Sequence, residues 1–220
     1  MNIGRSFSYI TEDQDWIKKV LIAGLISLIP VVGQFYLMGY VLEALRNVIA
    51  GREVPLPDAT ADLGDKLVKG LLLAAITLIY NMPIVLIAAC SGVGNSILAN
   101  TVRDSDTFST IMTVWGGCFG LIAFLYGIAV GLLMPFIWSG FAETGQFGDA
   151  FKLNRIWAMF RSNIGQAIIV FLVSALAGFV AGVVGFVACI IGLIFTTLYA
   201  QLVTAFLYGS LYRQAKSIVL

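Results

Sequence analysis

Four stretches of this chain carry no charged residue: positions 20–42, 70–102, 107–142 and 162–212, of 23, 33, 36 and 51 residues. A helix crosses the hydrocarbon core of a bilayer in roughly 20 consecutive apolar residues. A soluble domain interrupts its apolar runs far sooner, because about a quarter of its residues are charged to solvate its surface. Here only 11% of 220 residues are charged and 60% are hydrophobic. The chain therefore reads as all-α, a polytopic membrane helix bundle. That excludes a soluble enzyme, a disordered chain and a secreted disulfide scaffold.

Local signals divide the runs. Thr11-Glu12-Asp13-Gln14 has the form of a capping box, which predicts a helix start there. Trp16, Lys18 and Lys19 then mark a membrane interface, where an amphipathic ring and basic heads sit at headgroup level. Pro30-Val31-Val32-Gly33 splits the first run into two short halves, with Gln34 just beyond. Pro55 and Pro57 impose extended backbone on the main polar stretch, 43–69.

The second span is expected over 71–89, containing Pro83, and the third over 111–138, containing Pro135. Gly92, Gly94, Asn95, Asn100 and Arg103-Asp104-Ser105-Asp106 are assigned to the connection between them. In the interfacial helix expected at about 149–161, Leu153, Ile156, Trp157 and Phe160 share one face. Lys152, Asn154, Arg155 and Arg161 lie largely on the other, the pattern of a helix lying in the headgroup plane. A single helix over the last run would measure roughly 75 Å, so the run must fold back. Gly182 and Gly185 are the expected turn, giving spans of 164–184 and 187–211. The whole, 1–220, reads as one integral membrane domain: an interfacial segment and broken hairpin (1–50), a cytoplasmic loop (51–69) and four transmembrane helices (70–212).

Basic residues favour the cytoplasmic side of a membrane. If the first run spans fully, giving five spans, then Arg5, Lys18, Lys19 and Arg103 face the other nine Lys and Arg across the bilayer. If it turns back at Pro30 as a re-entrant hairpin followed by four full spans, Arg103 alone stands opposite the rest. The hairpin obeys the rule more completely and is preferred, with five spans as the alternative. Both termini are then cytoplasmic. Glu12, Asp13 and Asp15 argue against a cleaved signal peptide, so uncleaved insertion is expected.

The chain has no histidine, which removes the usual general base near neutral pH and the commonest metal ligand. Cys90, Cys118 and Cys189 are widely spaced and read as small apolar packing residues. No catalytic residue, metal site or cofactor is expected, and the net charge of +1 gives no nucleic-acid footprint. Gly116, Gly120, Gly127 and Gly131 form a small-residue stripe, and Gly178 and Gly182 belong to another with Ser174, Ala181 and Gly185. Such stripes serve packing within a bundle or between copies. No charge lies inside a span; amides such as Gln34 and Asn81 are the candidates for lining a cavity, or else satisfy freed backbone groups.

These features together carry a resemblance. They are Trp16-Ile17-Lys18-Lys19, Ile29-Pro30-Val31-Val32-Gly33, Gly39-Tyr40, Leu45-Arg46 with Gly51, and Leu56-Pro57-Asp58. They continue through Asp62-Leu63-Gly64-Asp65, Gly70-Leu71, Ile79-Tyr80 with Pro83, and Thr144-Gly145 leading to Ala150-Phe151. The combination resembles the prokaryotic membrane-protein family catalogued as domain of unknown function 4013, over most of the chain. Ala59-Thr60-Ala61 stands where the family often has an aromatic. The resemblance implies a multi-pass protein of the cytoplasmic membrane of a bacterium or archaeon, with no established activity. It also looks distantly similar to membrane modules that accompany glycerophosphodiester phosphodiesterases, whose catalytic domain and activity do not carry over. The expected function is a non-enzymatic protein that interacts with lipid or organises a complex, as a homo-oligomer or within a larger assembly. A small oligomeric transporter or channel using the break near Gln34, and an accessory subunit of a membrane enzyme, are the alternatives.

Overall fold

The computed structural model describes residues 3–102, 104–187 and 189–219, and among them there are helices and no strand. The helices are α1 Ile3–Ser8, α2 Trp16–Ser27, α3 Val32–Ile49, α4 Leu63–Thr101, α5 Ser105–Thr144, α6 Leu153–Ser162, α7 Ile164–Val187 and α8 Cys189–Val219. A 3-10 turn at Phe147–Phe151 precedes α6. Four of them, α4, α5, α7 and the Gly192–Ile218 part of α8, are long and apolar enough to cross a membrane. The chain is thus the all-α polytopic bundle its charge-free runs imply.

It packs as two compact units, Met1–Ile76 with Leu132–Leu220, and Thr77–Gly131. In the first, α8 is the central helix, touching α1, α2, α3, α6 and α7. Leu198, Leu202, Val203, Leu207 and Leu211 of α8 are fully buried, as are Tyr40, Ala44 and Leu45 of α3. Gly209 lets α3 and α8 close, since a Cβ there would stand 2.7 Å from Val48. In the apolar window of α8, 44% of the residues are buried, against 17% in α7. Leu176, Phe179, Val180 and Val183 of α7 point outward. In lipid, apolar side chains gain little by packing on protein instead of acyl chains, so close backbone approach and polar contacts select the partners.

The break in the first run is a strained turn. Val31 sits at φ 65°, ψ −62°, and the Val32 N–H donates to the Pro30 carbonyl at 2.7 Å, the geometry of a γ-turn. A Cβ on Gly33 would collide with the backbone of Ile26 and Ser27, so only glycine lets α3 start this close to the end of α2. Contacts along α8 fix the chain's direction. Tyr199 donates to the Phe7 carbonyl and Tyr9 to the Leu202 carbonyl, Gly24 of α2 lies against Phe195, and Leu45 and Val48 of α3 lie against Gly209. The chain runs along α8 toward Phe195, turns at Pro30 and returns: a broken helical hairpin.

The second unit consists of the later part of α4 and the earlier part of α5. The Tyr126 hydroxyl donates to the Tyr80 carbonyl at 2.8 Å, and the Trp115 ring lies over Gly94, where a Cβ would stand 3.1 Å from it. Leu121, Phe124 and Leu125 are exposed.

Several local expectations are corrected. The capping box does not form: Thr11 donates back to the Ser8 carbonyl, and α2 begins only at Trp16, after Asp13 has accepted from the Asp15 N–H. Helix α4 does not stop near Ala89 but continues through Gly92, Gly94, Asn95 and Asn100. Ser91, Ser96, Asn100 and Thr101 each donate to the carbonyl four residues back, so these polar side chains are satisfied inside the helix instead of ending it. Helix α5 likewise exceeds 111–138, starting at Ser105 where the Asp104 carboxylate accepts from the Thr107 N–H. Helix α7 passes through Gly182 and Gly185 to Val187, so those glycines are not the turn. Cys90 and Cys118 are exposed, not packed in a core; the side chain of Cys189, like Arg103, lies outside the described residues.

Candidate functional site at the Leu-Pro-Asp loop

The polar face of the first unit is built around the loop between α3 and α4. Helix α3 ends in a Schellman motif: Gly51, at φ +74°, donates to the Val48 carbonyl and Arg52 to that of Asn47. Three side chains then hold the carbonyls of the loop. Asn47 donates to Pro55 at 3.0 Å, Tyr36 to Ala59 at 2.5 Å, and the Lys66 ammonium to Asp58 at 2.8 Å and to Ala61.

Lys66 is 2% exposed. A buried ammonium costs several kcal/mol unless its protons are matched. Two loop carbonyls and the Glu43 carboxylate, 3.1 Å away, match them. It reaches that position because α3 and α4 cross on two glycines. A Cβ on Gly39 would overlap the Lys66 carbonyl, and one on Gly70 would overlap the Phe35 carbonyl and stand 2.7 Å from the Gly39 nitrogen.

The Asp58 carboxylate accepts from the Thr60 N–H and hydroxyl, both at 3.0 Å, which holds its pKa below the usual carboxylate value. Beside the loop, Glu43, Arg46, Asp62, Asp65, Lys66 and Lys69 surround a cavity of about 150 Å³. Asp65 pairs with Lys69 at 2.5 Å.

A second cluster ties α5, α6 and α8 together. One oxygen of the Glu143 carboxylate accepts from Tyr212 at 2.7 Å and from Arg155 at 3.2 Å; the other accepts from Lys216. Arg155 also donates to the Tyr212 hydroxyl at 2.9 Å. Helix α6 buries Ile156 and Met159 and exposes Leu153 and Trp157. Chemically these clusters are matched ion pairs that fix helix ends and a loop. The carboxylates of Asp58, Glu43, Asp65 and Glu143 each accept from or pair with a named neighbour.

The amides singled out from the sequence take local roles. Gln34 donates at 3.4 Å to the Ser27 carbonyl, a group freed by the break, and Asn81 donates to the Thr77 carbonyl of its own helix at 2.7 Å. A Cβ on Gly116, Gly120, Gly178 or Gly182 would meet nothing within 4 Å, and one on Gly127 would just reach Ile84 at 4.0 Å. In the fourth span two other members of the stripe, Ala181 and Gly185, are the ones that pack: a Cβ on Gly185 would stand 2.5 Å from Thr196.

Sequence reasoning missed Lys66, Glu43 and Glu143 as organising residues. Their signal was position: each is a charge within a few residues of the end of an apolar run. Spacing identifies a small-residue stripe but not which of its members meets a partner within the chain: Gly185 does, and Gly178 and Gly182 do not.

No curated protein and no solved structure matches the chain. One family model does, over residues 22–190, a stretch that includes the strained turn, the crossing glycines, the anchored loop and Glu143. The chain belongs to the family described as Protein of unknown function (DUF4013).

Proposed function

We propose that this protein is a non-enzymatic lipid-binding subunit of a prokaryotic cytoplasmic membrane, with its hairpin re-entrant and both termini on the cytoplasmic side. One observation carries the reading. The first unit contains an apolar groove of about 590 Å³, lined by Phe7, Trp16 and Leu21 on one side and by Val180, Val184 and Phe195 on the other. Leu21, Val180 and Val184 are exposed, so the groove opens on the face that lipid would cover. Lys18, beside Trp16, supplies a cation at headgroup level. A phospholipid acyl chain is the occupant of matching shape and chemistry. The lack of histidine and the saturation of Glu143 support the non-enzymatic part of the reading.

The test is extraction of the full chain with its surrounding membrane, followed by mass spectrometry of bound lipids and proteins. Retained phospholipid, lost when Ala177→Phe and Ala200→Phe fill the groove, supports the reading. A bare monomer carrying neither lipid nor partner overturns it.

A further inference from the structure

A separate cavity of the first unit, of about 150 Å³, gathers arginines from three elements: Arg5 of α1, Arg52 of the loop and Arg213 of α8, with Glu53, Ser210 and Phe206. Arg5 is engaged by Glu12, through Nη2 at 3.0 Å and Nε at 3.3 Å. Neither Arg52 nor Arg213 takes part in an ion pair among the described residues. The Arg213 guanidinium lies 3.5–3.6 Å from where a Cβ on Gly51 would stand, an ordinary contact distance, so it sits against the turn that caps α3.

Elsewhere in this unit the clustered cations face carboxylates: Lys19 with Asp13, Lys66 with Glu43, Lys69 with Asp65, and Arg155 and Lys216 with Glu143. Here Arg52 and Arg213 form no ion pair among the described residues, and Glu53 is the one carboxylate among the residues lining the recess. Guanidinium forks match the oxygens of a phosphate geometrically and form charge-assisted hydrogen bonds to them.

We propose that this cavity binds a phosphate ester, with Arg52 and Arg213 donating to its oxygens, Ser210 adding a neutral donor and Arg5 contributing to the positive potential. The ester comes either from the headgroup of an anionic phospholipid or from a soluble phosphate compound. The lipid source deepens the function proposed above and rests on it; the soluble source stands alone. Anionic lipids give the cytoplasmic leaflet its negative surface potential, which draws basic groups at that surface.

The test uses the full chain in nanodiscs of equal phosphatidylglycerol and phosphatidylcholine, with retained lipid counted by native mass spectrometry, and calorimetry with inorganic phosphate in detergent. Wild type is expected to retain phosphatidylglycerol preferentially. Joint replacement Arg52→Gln and Arg213→Gln is expected to cut that retention by about tenfold, the effect of losing a charge-assisted bond. Joint Arg52→Lys and Arg213→Lys keeps the charge and restores part of it. Arginine-dependent binding of inorganic phosphate without a lipid preference supports the cavity and assigns it a soluble ligand. Equal lipid retention by wild type and the double Gln variant, with no arginine-dependent phosphate binding, overturns this inference and leaves the groove reading intact. Loss of all retained lipid from wild type, with arginine-dependent phosphate binding preserved, overturns the groove reading and leaves this one.

Discussion

Lys66 shows how one side chain organises a polar face at the edge of a membrane bundle. Its ammonium is the hub of the loop, so Lys66→Met, which keeps the stem but removes the donors, leaves the Asp58 and Ala61 carbonyls without a partner. The expected cost is about 1–3 kcal/mol, read as a lower thermal midpoint by tryptophan fluorescence. Faster proteolytic cleavage within residues 52–62 should accompany it. Asp58 supplies a pH prediction. Its folded pKa is depressed by the Thr60 bonds, so its contribution is present above the unfolded value and lost as pH falls through the folded one. Exchange protection of the Thr60 amide, corrected for intrinsic rate, should therefore fall below about pH 4. In Asp58→Asn, which keeps an acceptor oxygen but does not titrate, that dependence should vanish.

Helices meet on glycine here, and which glycine matters follows from the crossing and not from the spacing. Gly39→Ala or Gly70→Ala drives a methyl into backbone on the facing helix and should cost about 1–3 kcal/mol by overpacking. Gly178→Ala, which meets nothing within 4 Å, should be close to neutral. Equal effects of the two kinds in a thermal unfolding series would sink this account. The existence of the long helices was legible from uninterrupted apolar runs, and the break at Pro30 from a residue that cannot donate. Boundaries were less so: in α4, hydroxyls and amides that would end a helix in water bond back to the turn before them, carrying it to Thr101. Its 39 residues amount to roughly 58 Å of helix, about twice the hydrocarbon thickness. The polar clusters were hidden for another reason. Glu143, Arg155 and Lys216 are far apart in sequence, and only the return of α8 beside α5 and α6 makes them one group. Glu143→Gln should accordingly loosen all three helix ends at once, by about 1–3 kcal/mol, seen as raised hydrogen exchange at residues 140–144, 153–158 and 210–216.

For the whole molecule, the hairpin geometry gives a topology test. Single cysteines placed at the two ends of the chain, in a background without Cys90, Cys118 and Cys189, should react with impermeant reagent only when it reaches the cytoplasmic side. Labelling of one end alone from outside would establish five full spans instead. The central place of α8 has a bearing on how the protein is made. The ribosome delivers α1, α2 and α3 long before the helix against which they pack. Until then the Tyr9 hydroxyl lacks the Leu202 carbonyl and the α3 face bearing Leu45 and Val48 lacks Gly209. Biogenesis must therefore keep an unfinished hairpin at the membrane through the insertion of three other long helices, and assembly is completed only when α8, the last helix, packs against α1, α2 and α3 as well as against α6 and α7.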